Sequence, residues 1–108
     1  MPFLNITPEQ LVELKSNDNN VLLIDCRTIE EINQFSLDYD LHLDLTDNNI
    51  LNRINNLDKD TKYIIYCHSG VRSQFLCNYL SQNGFKNLYN LDGGIIAFID
   101  YLNKYQLK

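Results

Sequence analysis

The sequence predicts an α/β domain whose mainly parallel sheet is covered by helices on both faces. Three observations carry that expectation. Two continuous apolar runs, Val21-Leu22-Leu23-Ile24 and Tyr63-Ile64-Ile65-Tyr66, read as strands buried on both faces. Helical patterns with their own start signals separate these runs from each other and from their neighbours. The chain has 108 residues, 44% of them apolar and 21% charged, which is material for one core and a single domain over 1–108.

The elements run in order along the chain. Phe3 to Ile6 reads as a short first strand. Thr7-Pro8-Glu9-Gln10 opens a helix, with Thr7 as N-cap, Pro8 at the first helical position and Gln10 closing a capping box. Leu11, Val12 and Leu14 form its apolar face, and the polar stretch from Ser16 to Asn20 ends it. The strand Val21–Ile24 comes next, with Asp25-Cys26-Arg27 at its carboxyl end. Thr28 and Glu31 make a second capping box, whose helix ends near Phe35. Residues 38–45 alternate, with Tyr39, Leu41, Leu43 and Leu45 on one side and Asp38, Asp40, His42 and Asp44 on the other. Period two predicts a half-exposed strand there.

Asp47 to Leu57 fits a helix with Ile50, Leu51, Ile54 and Leu57 on one face. Tyr63–Tyr66 is the next strand. Val71 to Asn83 is helical, with Phe75, Leu76, Tyr79 and Leu80 turned inward and Gly84 just past its end. Leu88 to Leu91 is the last strand. Gly93-Gly94 leads into a final helix built on Ile95, Ile96, Phe98, Ile99 and Leu102. Strands alternating with helices in this way argue for parallel pairing with right-handed crossovers.

Composition excludes several function classes. Fourteen acids against nine strong bases leave a net charge of −5, without the basic stripe of a nucleic-acid binder. No apolar run approaches the roughly 18–20 residues of a membrane span. The apolar content is too high for a disordered tail. Fifteen Asn are spread along the chain, but apolar periodicity continues through the Asn-rich parts, so they form no low-complexity tract. The N-terminus lacks a basic, apolar leader, which predicts the cytoplasm and free thiols at Cys26, Cys67 and Cys77. The three cysteines form no C-x-x-C, so neither a zinc pair nor a dithiol redox motif is expected. Asp40, His42 and Asp44 invite a metal reading. Same-face neighbours on a strand are roughly 6.5–7 Å apart, too wide to converge on one ion, and a charged edge strand accounts for them. No metal or organic cofactor is expected.

The chemistry gathers in Tyr66-Cys67-His68-Ser69-Gly70-Val71-Arg72-Ser73. A cysteine sits where a buried strand ends, a loop of small residues comes after it, and a helix begins. Ligands of open α/β sheets bind outside the carboxyl ends of the strands. The unsatisfied amides and dipole of a helix N-terminus favour an anion there, first of all the Cys67 thiolate. Such a setting lowers a cysteine pKa from ~8.5 into a range of roughly 3.5–7.5. Arg72 adds a permanent charge whose planar fork suits an oxyanion. Gly70 permits a tight, positive-φ turn. Ser69 and Ser73 offer hydroxyls at the rim or the helix start, and His68 is placed to tune anion affinity. Cys26 and Cys77 read as packing residues, with a resolving thiol as the alternative role for each. Asp25 and Arg27 read as structural polar contacts.

These residues resemble the active-site loop of the rhodanese (sulfurtransferase) family, C-x-x-G-x-R-S. Leu23-Ile24-Asp25-Cys26-Arg27 with Glu30-Glu31 is similar to its early D-x-R…E-E segment. Gly84 to Phe98 resembles its closing G-F-x-N-V-x-x-L-x-G-G-x-x-A-W, with Phe98 where the aromatic is usually Trp. Phe35 to Leu43 departs from the family, being shortened and lacking its glycine-histidine pair. The resemblance implies a five-stranded parallel sheet. It also implies a sulfurtransferase that moves sulfane sulfur from thiosulfate or a persulfide donor to a nucleophilic acceptor, cyanide or a thiol. Cys67 is then the catalytic residue, forming a persulfide, and His68, Ser69, Gly70, Val71, Arg72 and Ser73 bind substrate. The expected partners are a small anionic donor and, as a further candidate, a thiol- or persulfide-carrying protein. A monomer is expected, with neither nucleic acid nor membrane. Two alternatives stand beside this: a non-catalytic interaction module of the same family, and a cysteine phosphatase or arsenate reductase of the same fold. Retention of Cys67, Gly70 and Arg72 together speaks against the first. Only four residues lie between Cys67 and Arg72, where those enzymes have five, which speaks against the second.

Overall fold

The computed structural model describes residues 2–106. Among them, five strands and five helices alternate: β1 (Leu4–Ile6), α1 (Pro8–Asn17), β2 (Val21–Asp25), α2 (Ile29–Gln34), β3 (Leu41–His42), α3 (Ile50–Asn55), β4 (Lys62–Tyr66), α4 (Val71–Gln82), β5 (Asn87–Leu91) and α5 (Gly94–Gln106). The strands form one sheet in the order β1-β5-β4-β2-β3, with all pairs parallel. The fold is therefore α/β around a five-stranded, all-parallel sheet.

Strand β4 is central, between β5 and β2, and its apolar run is buried from Tyr63 to Tyr66. Alternate residues divide between two cores. Tyr63, Ile65 and Cys67 join Ile24 and Cys26 under Ile54 of α3 and Leu76, Cys77 and Leu80 of α4. Ile64 and Tyr66 join Val21 and Leu23 under Leu11 of α1 and Ile95 and Phe98 of α5. Each large apolar side chain removed from water contributes about 1.5–3 kcal/mol, so these two layers are the main support of the sheet.

Both anticipated capping boxes are formed. Thr7 pairs with Gln10, and Thr28 with Glu31. Elsewhere the apolar faces are narrower than the sequence pattern implies. In α4 the stripe Ser73, Leu76, Cys77 and Leu80 meets the sheet, and Phe75, about 100° around the helix from Leu76, is 71% exposed. Val12, Ile96 and Ile99 are likewise exposed at helix flanks. Helix α3 is shorter than expected because turns at residues 45–46 and 48–49 precede it.

The segment 38–45 is the largest departure. Only Leu41 and His42 pair as a strand, at the sheet edge against β2. Its polar side chains are taken up separately. Asp40 binds Lys15 at 2.7 Å and accepts the Leu23 N–H at 2.7 Å. His42 Nε2 donates to the Arg27 carbonyl at 2.6 Å, and Asp44 accepts from Thr46. Three polar side chains with three different sets of partners do not converge on an ion.

Candidate active site

The site is built at the carboxyl ends of β2 and β4. Two residues past its last buried isoleucine, β4 delivers Cys67, 1% exposed. The chain must then turn sharply into α4. Gly70 makes that turn as the N-cap of α4, with φ +98°. An L side chain there would adopt a left-handed conformation and press on the Gly93 amide. The turn points the Gly70 N–H at Cys67 Sγ, at 3.1 Å. The Ser73 N–H donates to the same sulfur at 3.4 Å, and the Ser73 hydroxyl lies 3.4 Å from it.

The loop is clamped from behind by the start of α5. Ile95 N–H donates to the Cys67 carbonyl at 2.9 Å, and Ile96 N–H to the His68 carbonyl at 3.2 Å. This approach requires Gly94, because a Cβ there would collide with both carbonyls. The closing glycine pair thus holds the backbone of Cys67 and His68.

These contacts pull the Cys67 thiol from its ordinary value near 9 down to about 4. The largest cause is the neighbouring Cys26 thiol. Burial opposes the shift, and the Ser73 hydroxyl, the Ser73 N–H and the Gly70 N–H reinforce it. At neutral pH Cys67 is a thiolate. The two other thiols are pushed up. Cys26 is held protonated by its bond to Cys67 and by burial. Cys77, buried in α4 beside the Tyr89 carbonyl, is pushed by desolvation to about 12.

The other loop residues separate into three groups. His68, Ser69 and Val71 are exposed at the rim of the loop. Ser73, expected at the rim or the helix start, is fully buried at the start of α4. Its hydroxyl lies against the Cys67 sulfur, away from the exposed rim. Arg72 is half-buried and already partnered. Its two terminal nitrogens donate to the two carboxylate oxygens of Glu31, each at 2.8 Å. Two of its five N–H groups are committed in this way, and the cation still faces the Cys67 sulfur closely enough to feel its charge.

Glu31 is a site residue that its sequence pattern places only in a helix cap. It accepts the Thr28 N–H and hydroxyl as well as the Arg72 fork, and the guanidinium draws its carboxyl down to about 2. Cys26 is the second such residue. Its signal is present in the sequence: both Cys26 and Cys67 sit immediately beyond a buried strand. The missing information is that these two strands are neighbours.

Asp25 and Arg27 support the floor, as structural contacts. Asp25 accepts from the Arg27 backbone, Nε and Nη2, and both side chains are buried. Arg27 also donates to the Phe35 carbonyl and lies over the Tyr66 ring, whose hydroxyl accepts the Leu37 N–H. A cleft of about 340 Å³ opens beside the loop, lined by Arg27, Glu31, Phe35, His68, Arg72 and Ile95 among others.

A thiolate cradled by the first turn of a helix, at the end of the central strand of this sheet, matches a known family over most of the chain. The rhodanese-like domain model aligns with residues 7–100. The chain belongs to the rhodanese-like domain family. A sulfurtransferase of Allochromatium vinosum is 40% identical over 93 residues, covering 86% of this chain and 85% of that one. The thiosulfate sulfurtransferase GlpE of Shewanella oneidensis is 29% identical over 96 residues, covering 89% and 92%. Among solved structures, a rhodanese-like domain protein of Staphylococcus aureus superposes with a TM-score of 0.77 at 28% identity, covering 88% of this chain and 90% of that one. This rhodanese-like domain is thus of a sulfurtransferase-like kind. Among its described residues, no helix is long and apolar enough to cross a membrane.

Proposed function

We propose that this rhodanese-like domain transfers sulfane sulfur through a persulfide on Cys67, with thiosulfate or a persulfide as donor and cyanide or a thiol as acceptor. The observation that carries the reading is the set of donors on one sulfur: Gly70 N–H, Ser73 N–H and Ser73 hydroxyl on Cys67 Sγ. A thiolate held near pKa 4 is fully ionised at neutral pH and is a good leaving group.

In the first step the thiolate attacks the outer sulfur of thiosulfate. A bond forms between Cys67 Sγ and that sulfur, the sulfur–sulfur bond of the donor breaks, and sulfite leaves with the electron pair. In the second step the acceptor attacks the outer persulfide sulfur and Cys67 departs as thiolate. The same donors that stabilise the resting thiolate stabilise it as leaving group. The uncommitted N–H groups of Arg72 offer charge to the departing sulfite. His68, Ser69 and Val71 line the approach to the loop. A neutral-to-anionic sulfur compound, or a partner thiol brought to the exposed loop, is the matching substrate class. Three free thiols fit a reducing, cytoplasmic setting.

Incubation with thiosulfate is expected to add one sulfur to Cys67, read by intact-protein mass spectrometry, and cyanide is expected to remove it. An unmodified chain, or a Cys67→Ser variant that is modified equally, would overturn the proposal.

A further inference from the structure

Sulfur transfer through a persulfide uses Cys67 alone, yet a second buried cysteine stands beside it. Strands β2 and β4 pair in parallel with Leu22 opposite Tyr63, Ile24 opposite Ile65 and Asp25 opposite Tyr66. The Cys26 N–H continues that ladder by one rung, donating to the Tyr66 carbonyl at 3.1 Å. Cys26 is therefore the lateral neighbour of Cys67. The period of two puts both side chains on the same face, and both lie in the same core layer at 1% exposure. Laterally paired residues of neighbouring strands have Cα atoms about 4.8 Å apart. That separation lies inside the window of roughly 4.4–6.8 Å that a disulfide spans. Cys77 has no such relation to either. It sits on α4 with its thiol toward the Tyr89 carbonyl.

We propose that Cys26 is a resolving thiol that closes a reversible disulfide onto Cys67 when Cys67 is oxidised by a peroxide. The step needs no sulfur donor and so does not depend on the transfer reaction proposed above. The Cys67 thiolate attacks one peroxide oxygen, the O–O bond breaks, hydroxide leaves, and Cys67 becomes a sulfenic acid. The Cys26 sulfur then attacks Cys67 Sγ. The S–O bond breaks, and the oxygen departs as water with the Cys26 proton. An external dithiol returns both cysteines to thiols and is itself oxidised to a disulfide.

The arrangement explains why a thiol that stays protonated beside the thiolate becomes a nucleophile afterwards. In the resting state the charge on neighbouring Cys67 and burial keep Cys26 protonated. Oxidation removes that charge and makes the Cys67 sulfur an electrophile. A low-pKa thiolate without a resolving partner proceeds to sulfinic and sulfonic acids, which a dithiol does not reverse.

The sequence makes the test direct. Trypsin cuts after Lys15, Arg27, Lys62, Arg72 and Lys86, which places Cys26, Cys67 and Cys77 on separate peptides: 16–27, 63–72 and 73–86. The full chain is treated with hydrogen peroxide, its remaining thiols are blocked, and it is digested without reductant. Peptide 16–27 joined to 63–72 within one chain, with 73–86 blocked as a free thiol, is the expected result. Loss of Cys67 alkylation should be restored by dithiothreitol. In Cys26→Ser, prolonged peroxide should instead leave sulfinic or sulfonic acid on 63–72. Over-oxidised 63–72 beside a free 16–27 in the unsubstituted chain would overturn the proposal, as would a link from 63–72 to 73–86, or a bond between two chains.

Discussion

The carboxyl ends of β2 and β4 begin alike and finish differently. Each presents an isoleucine, a polar or aromatic residue and then a cysteine, and the two cysteines lie side by side on one face of the sheet. Both are 1% exposed. Yet Cys67 is a thiolate at neutral pH and Cys26 is a thiol. Burial is common to both, so burial is not the cause. The difference lies in the turn after each cysteine. After Cys67, a positive-φ glycine turns the chain so that amides of the helix start face the sulfur. After Cys26, Arg27 folds back onto Asp25, and the helix start of α2 is satisfied by its own Thr28 and Glu31. One strand end aims donors at its cysteine and the other uses them internally. Of two neighbouring buried cysteines, the one whose succeeding turn adds donors to its sulfur is the one that ionises.

The largest expected effect comes from breaking the β2 end. Arg27→Ala leaves the Asp25 carboxylate buried without its partner, and a loss of about 3–5 kcal/mol of stability is expected in urea denaturation. A loss below about 1 kcal/mol would show that the buried pair does not hold this end together.

The next effect comes from the turn that distinguishes the β4 end. Gly70→Ala forces a side chain into a left-handed conformation, at a cost of about 1–2 kcal/mol, and moves an amide off the Cys67 sulfur. Persulfide formation should fall by roughly tenfold or more, in proportion to that energy. An unchanged rate would mean that the turn does not serve the nucleophile.

Ser73→Ala removes one donor and leaves the turn intact. Alkylation of Cys67 by iodoacetamide should follow a titration with its midpoint near pH 4 in the unsubstituted chain, reaching its plateau before neutral pH. In the variant that midpoint should rise by roughly one pH unit, as the loss of one hydrogen bond to a charged sulfur predicts. Superimposable profiles would remove Ser73 from the cradle.

The smallest effect is expected at the ion pair joining the two ends. Glu31 is depressed from 4.5 to about 2 by Arg72. A depressed carboxyl contributes stability above its unfolded value and loses it as pH falls. Glu31→Gln should therefore cost about 0.5–1 kcal/mol at pH 7, a modest figure because both side chains are partly solvated. That difference should shrink as pH falls from 4.5 through 2. A difference that persists below pH 2 would point to packing by the side-chain stem instead of charge.

Much of this is legible in the chain because it is local. The two capping boxes need only residues three apart. Runs such as Val21–Ile24 and Tyr63–Tyr66 are apolar on every residue because both sheet faces are covered. The loop from Cys67 to Ser73 carries its glycine within hydrogen-bond reach of its cysteine. Residues 38–45 mislead because strict alternation is also produced by an extended edge segment with few backbone partners. Asp40 bonds a lysine and a backbone amide there, and only Leu41 and His42 pair with β2. Phe75 and Ile96 mislead because apolar residues flank the buried helix stripes without belonging to them.

By itself the sequence determined the alternation of elements, the cysteine at the end of a buried strand and the glycine turn beside it, since these depend on neighbours within a few residues. Tertiary structure decided which strand ends meet. The adjacency of β2 and β4 brings Cys26 beside Cys67 and lets Glu31 grip Arg72 across 41 positions of chain. Such contacts are set by strand order and register, which no local pattern encodes.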